Sequence, residues 1–290
     1  MQANNPRFYD KMDTDTLQKL CYQNGYYDFK LGKLVTYTKD NIPYTKFIIN
    51  RDYIVDTTYV EQIYKDVIYP IFDVKYYNDS VVKDDNYKNM QYTLNSMSRK
   101  LAGHIIEDKD WLIMLGDRNS GKGVLQEAFI QAFEKYIGMF NTSVLLTKPM
   151  GCGEDSKLNA WMLDFEFTRI MFGSEIQIGL DIRGKHTSKL NGVLLKSLTG
   201  GDKLKARSNN VDAREFNIQS SIILTANDIP TCEPADALEN LKVFHMPCRF
   251  MSNDEYISLS NTVKPTVNRK VKKPELKAWL KTEAVMNSFQ

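Results

Sequence analysis

The sequence predicts an α/β fold with a mostly parallel sheet, and three observations predict it. Short apolar runs at residues 111–115, 169–172 and 221–226 have the length and make-up of strands buried on both faces. Between Val124 and Ile137 the apolar residues repeat at helical spacing. Helical or hairpin sequence separates the later runs, and this alternation is what covers a parallel sheet with helices.

The 290 residues suffice for one large domain, or for a core with a smaller one attached. With 42% apolar and 26% charged residues, the composition lies outside the disordered and membrane classes. No run of about 18 apolar residues and no secretory leader pattern occurs, so a soluble, intracellular protein with no membrane partner is expected. Net charge is only +2, from 38 basic and 36 acidic residues, so a nucleic-acid surface has to be local. Cys21, Cys152, Cys232 and Cys248 lie far apart without a C-x-x-C pair, which reads as reduced structural thiols. His104, His186 and His245 lack metal-ligand spacing, so no metal cage is expected from them.

From the N-terminus, residues 1–54 form a Tyr-, Phe- and Asn-rich segment of uncertain fold, with short strands suggested at 33–37 and 46–49 around a turn at 41–43. Residues 55–108 read as a helical region. Tyr59, Val60, Ile63, Tyr64, Val67 and Ile68 fit one helix closed by Pro70, and Met90, Leu94, Met97, Leu101 and Ile105 fit a second. The whole region before residue 110 is thus expected to be small and mainly helical. A core follows over 109–255, whose first helix should end near Gly138. Residues 256–290 read as a basic linker, with Lys264, Arg269, Lys270, Lys272, Lys273 and Lys277, before a helix from Pro274 to Phe289.

The chemistry concentrates where the first core strand meets its helix. Gly116, Asp117, Arg118, Asn119, Ser120, Gly121, Lys122 and Gly123 form a G-x-x-x-x-G-K loop, which aims backbone N–H groups and a helix N-terminus at one spot suited to a phosphate. Lys122 would reach the β- and γ-phosphates, while Gly123 stands where the pattern wants a Mg²⁺-binding hydroxyl. Glu175 lies at the C-terminal end of its strand, where open α/β sheets bind ligands, and suits activation of water; a solvated strand-end residue is the other reading. Asn227 closes the 221–226 strand, either as a contact to phosphate or water or as a plain turn residue. Lys203, Lys205 and Arg207 alternate with Leu204 and Ala206, putting three cations on one strand face, fit for a phosphate backbone or for a solvated edge.

Taken together, GDRNSGKG, RIMFGSEI, KSLTGGDKLKAR and SSIILTANDIP, in that order, resemble the superfamily 3 helicases, specifically the poxvirus-type and phage-type primase-helicases of large DNA viruses. NGYYDFKLGKLV resembles the segment preceding the helicase core, so the likeness spans about residues 20–250. The resemblance implies a P-loop NTPase core of the AAA+ kind that hydrolyses ATP with Mg²⁺ to move on single-stranded DNA during replication. In it Lys122 binds phosphate, Glu175 takes the Walker B role beside the metal, and Asn227 is the first sensor. Lys203, Lys205 and Arg207 would line the central pore of a homo-hexamer working with a primase and other replication proteins in a virus-infected cell. The chain departs from the pattern at Gly123, at Ser174 where many ATPases carry Asp, and in DALENLKVFHMPCRF, which lacks the paired arginines. Lys242 and Arg249 are the nearest cations there. These departures raise one alternative, a ring subunit or primase accessory that binds nucleotide without hydrolysis. Continuation of the helix from Pro274 to Phe289 in relatives would make the chain a piece of a longer primase-helicase. A small-molecule kinase also uses such a loop but leaves the basic hairpin without a role.

Overall fold

The computed structural model describes residues 11–12, 14–147, 159–176, 189–207, 212–260 and 268–289. Its centre is a five-stranded sheet made of β4 (Trp111–Leu115), β5 (Ile137–Phe140), β6 (Ile170–Glu175), β9 (Ser221–Ala226) and β10 (Leu241–His245). The spatial order is β10-β4-β9-β6-β5, and every pairing is parallel. Within β4, Leu112 and Met114 enter the core on one face, while Trp111 and Ile113 enter the core on the other. Period-two side-chain alternation therefore feeds two apolar layers, and this is why the run carries no polar residue.

One layer holds α4 (Lys122–Phe133), α2 (Asp85–Ala102) and α8 (Glu283–Phe289), together with the N-terminal residues Leu20, Tyr22, Phe47 and Ile49. The other holds α5 (Gly192–Gly200) and the hairpin of β7 (Leu204–Ala206) and β8 (Arg214–Phe216). The α/β class and the parallel sheet are as the sequence predicts.

Several local expectations are corrected. The region before residue 110 is not mainly helical throughout: β1 (Lys19–Cys21), β2 (Gly25–Asp28) and β3 (Lys33–Thr36) form an antiparallel sheet. Residues 46–49 are not a strand; Phe47 and Ile49 are buried anchors, and the Ile49 N–H donates to the Cys21 carbonyl over 2.8 Å. Pro70 does not end its helix. The helix runs as α1 (Val60–Ile63), a π-helical stretch (Tyr64–Ile68) and α3 (Tyr69–Phe72), with Pro70 in the first turn of α3. Proline has no N–H to give to the preceding turn, and the wide π turn before it makes room for the ring. Asp73, in the left-handed region, ends the run.

Helix α2 stops at Gly103, with φ of 85°, so Ile105 belongs to the next turn rather than to α2. Helix α4 ends at Phe133, and Gly138 lies inside β5, where an added Cβ would meet Phe165 at 2.6 Å. The final helix is broken into α7 (Leu276–Trp279) and α8. Nor is the basic tail a solvated linker. Residues Asn268–Val271 form β12, parallel to β11 (Cys248–Met251), and Lys270, Lys273 and Lys281 make ion pairs with Asp73, Asp66 and Glu127. Cys21, Cys232 and Cys248 are buried free thiols, whereas Cys152, His186 and Lys264 lie outside the described residues. Among the described residues no helix is long and apolar enough to cross a membrane.

Candidate active site

The strand order has one topological switch. From β4 the chain passes to β5 at the far edge, returns through β6 to β9 beside β4, then crosses to β10 on the other side of β4. In an open parallel sheet a crevice forms beyond the strand C-termini at such a switch, and here β4, β9 and β6 all end in it.

The loop after β4 is fixed by close backbone approach. The Gly116 N–H donates to the Ala226 carbonyl over 3.2 Å, and an added Cβ at Gly116 would meet the Met246 carbonyl oxygen at 2.6 Å. Asn119 and Gly121 both have positive φ, 64° and 96°, and Gly121 is the N-cap of α4. Asp117, Arg118 and Asn119 are exposed, whereas Ser120 is buried. Gly123 faces open space, with nothing within 4 Å of an added Cβ.

Three residues singled out in the sequence meet at this edge. The Lys122 ammonium donates to the carbonyls of Gly116 and Asp117 and, over 3.2 Å, to Asn227 Oδ1. Asn227 Nδ2 donates to Glu175 Oε1 over 2.8 Å. One amide thus bridges a cation from the loop and an anion from the second neighbouring strand. Burial holds the Lys122 ammonium below the usual lysine range, against the opposing pull of Glu175 and Asp117. Both Glu175 and Asn227 are exposed to the crevice.

Glu175 owes its direction to an irregularity. Phe172 pairs with Ile223 and Glu175 with Thr225, so β6 carries one residue more than β9 over that step. Such a bulge re-aims the following side chain. Gly173 permits it, since an added Cβ would meet Leu224 at 2.5 Å and Thr142 at 2.7 Å. Ser174 turns to Thr142 instead, its hydroxyl accepting from the Thr142 N–H over 3.1 Å.

The cationic hairpin is not part of this cluster; it packs on the opposite layer through Leu204, Ala206 and Phe216. Lys203 and Lys205 are exposed, Arg207 is half-buried, and Glu215 stands opposite Lys205 in the ladder. The tip, residues 208–211, lies outside the described residues. Arg214 at its base makes a bidentate ion pair with the buried Glu166. Lys242 is level with Leu112 and so lies toward the opposite end of the sheet from the loop. Arg249 pairs with Glu255 over 3.2 Å.

Sequence reasoning missed the wall beside the loop. The Phe250 N–H donates to the Asn119 carbonyl over 2.8 Å. Next to it lies a cavity of about 360 Å³ lined by Gly121, Val124, Val67, Ile71, Phe250 and Leu276, with Lys272, Lys273 and Lys277 around it. These residues come from four separate parts of the chain, so no local spacing could announce them.

No family model and no curated protein matches the chain. Among solved structures it is similar to the NrS-1 C-terminal region in its A form without ligand, with TM-scores of 0.47 and 0.48 at 14% and 13% identity. A further ligand-free structure of that region gives a TM-score of 0.44 at 15% identity. These matches cover 78% to 79% of this chain, which itself spans 44% of the length of those chains. At these values the likeness assigns no activity.

Proposed function

We propose that the protein is an ATP-dependent helicase or translocase of DNA replication, with residues 116–123 acting as a P-loop. The observation carrying this reading is the bridge from Lys122 through Asn227 to Glu175 at the C-terminal ends of β4, β9 and β6. Phosphate charge would be met by Lys122, by the loop N–H groups and by the N-terminus of α4. Glu175 suits holding and polarising the attacking water, and Asn227 suits fixing that carboxylate and reporting the γ-phosphate. Glu175 would hold Mg²⁺, with water filling the position a hydroxyl at 123 would take, since a Cβ added at Gly123 meets nothing within 4 Å. When bound, such a metal would supply positive charge against the charge developing on the phosphates. The apolar cavity beside Gly121 has the size and lining for the nucleobase.

Single-stranded DNA is assigned to the face of Lys203, Lys205 and Arg207, as phosphate contacts that read no sequence. A homo-hexamer, and work alongside a primase, belong to the same reading through the helicase resemblance. A second reading, nucleotide binding without hydrolysis, is favoured by Gly123 and by Ser174 in place of a second carboxylate.

The test is ATP turnover by the purified protein, with and without single-stranded DNA, alongside its mass in solution. DNA-stimulated turnover from an oligomer supports the first reading. Tight ATP binding without turnover supports the second, and absence of both binding and turnover overturns the two together.

A further inference from the structure

A second cavity lies on the other side of the composite helix, away from the glycine loop. It has a volume of about 370 Å³, and its walls come from the N-terminal sheet region, α1 and its π-helical continuation, α2, the C-terminal half of α4, and α8. Aromatic rings dominate it, among them Tyr22, Tyr27, Tyr53, Tyr64, Phe129 and Phe289. The rings already meet edge to face or tilted: Tyr22 and Tyr53 are 5.1 Å apart, Tyr27 and Tyr53 5.3 Å, and Phe129 and Phe289 5.5 Å. Their edges and faces give a flat guest the offset and T-shaped contacts aromatic pairs prefer.

Among the described residues no Asp, Glu, Lys, Arg or His lines the cavity. Burial raises the phenols of Tyr22 and Tyr53, which keeps both neutral. A charged guest would therefore lose its hydration without gaining a partner. The polar groups at hand are tyrosine hydroxyls and, on α2, the exposed Asn95 and Ser98, which mark the mouth. Ser288 is occupied, donating to the Ala284 carbonyl and accepting from the Tyr59 N–H.

The π-helical stretch shapes this space. Its wide turns hold Tyr64 and Ile68, with Ile63 just before them, toward this cavity, and Val67, with Ile71 just after, toward the cavity beside the glycine loop. Such widened turns recur at functional sites, because they cost a regular helix its best hydrogen bonding. As to size, a dry apolar cavity of about 150 Å³ holds one benzene ring, so this one has room for about two.

We propose that this cavity is a binding site for an uncharged, planar aromatic small molecule of about two rings, closed in by the tyrosines of the N-terminal sheet region and the phenylalanines of α4 and α8. The site stands apart from Lys122, Asn227 and Glu175 and does not depend on nucleotide chemistry.

The probe is prodan, an uncharged two-ring naphthalene fluorophore whose emission brightens and shifts to the blue out of water. Titrated into the full chain without nucleotide, it should bind saturably at one site. Ser98→Trp and Asn95→Trp, each filling the mouth from an exposed position, should weaken binding at least about tenfold, with melting temperature preserved in at least one of them. A naphthalene sulfonate of the same size should bind at least about tenfold more weakly, since its charge finds no partner. The absence of saturable binding would overturn the proposal. So would unchanged affinity in both folded variants, or equal affinity for the sulfonate.

Discussion

The amide of Asn227 faces Glu175 with its donor end, Nδ2 lying 2.8 Å from Oε1, while its oxygen takes a hydrogen bond from Lys122. Aspartate at 227 would keep the shape but turn the donor into a second acceptor beside a carboxylate. Asn227→Asp should therefore cut ATP turnover by about 10²-fold or more, while Glu175→Gln should bind ATP yet turn it over about 10²-fold or more slowly. Separate measurement of kcat and of ATP affinity checks both. Loss of affinity along with kcat in folded Glu175→Gln would leave the residue a structural or metal-holding role alone and remove it from water activation.

Lys122 should be needed for turnover, so Lys122→Ala abolishes it in a folded protein. Because burial lowers its pKa, the ammonium loses its proton at a lower pH than an exposed lysine does. The sign follows: affinity for ATP is full near neutrality and declines as pH rises, starting below the usual lysine value of about 10.4. A titration of ATP affinity from neutrality to about pH 10.5 reads this. A flat profile to the top of that range would remove Lys122 from the phosphate site.

Gly121 and Gly123 differ in what a side chain would meet. At Gly121, φ is 96° and an added Cβ lies 2.7 Å from Ile71, so Gly121→Ala should destabilise by at least about 1 kcal/mol. Gly123 is in the first turn of α4 with open space, so Gly123→Thr should fold at least as well and gain a few tenths of a kcal/mol in helix propensity. If a hydroxyl is what Mg²⁺ lacks here, Gly123→Thr also lowers the Mg²⁺ concentration that gives half-maximal turnover. Thermal melts and a Mg²⁺ titration decide both.

The cationic face predicts a salt-dependent contact. Replacing Lys203, Lys205 and Arg207 together with Ala should weaken single-stranded DNA binding and reduce the salt slope by up to about three phosphate contacts. Basal ATP turnover should survive, since the hairpin packs on the opposite layer from α4. A salt titration of DNA affinity for parent and variant is the measurement; identical slopes return the hairpin to a solvated edge.

Turnover should depend on neighbouring subunits. Lys242 lies toward the far end of the sheet, and Arg249 is held by Glu255, so a finger for the phosphates is expected from another copy. Specific activity should rise with protein concentration. A constant specific activity in a protein that stays monomeric would sink the ring.

Where one segment's own pattern decides its structure, the sequence was legible. The run Trp111–Leu115, the glycine turn, and the placement of Glu175 and Asn227 at strand ends all follow from local apolar spacing. So does the alternation of Leu204 and Ala206 inward with Lys203 and Lys205 outward. Where distant parts of the chain decide, it was not. Apolar spacing made residues 46–49 look like a strand, but their backbone finds Cys21 rather than a ladder. Pro70 stops an α-helix yet not one widened before it, and Gly138 resembled a helix end because Glu134 had already turned the chain, with φ of 46°. The extra residue in β6 that directs Glu175 has no signature beyond Gly173, and Phe250 was invisible because its partner, Asn119, lies far upstream.

The cavity beside Gly121 also sets an order of events during synthesis. Its loop and its α1 wall emerge early, but Phe250 and Leu276 complete it only after every strand of the central sheet has been made. A nascent chain halted before that point has the glycine loop without the apolar wall next to it. Ligand that binds only the finished pocket stabilises by mass action, and so gives the growing chain no help. The sheet must therefore hold together on its own burial until translation has passed residue 276, and a ligand of this pocket acts on the protein only from then on.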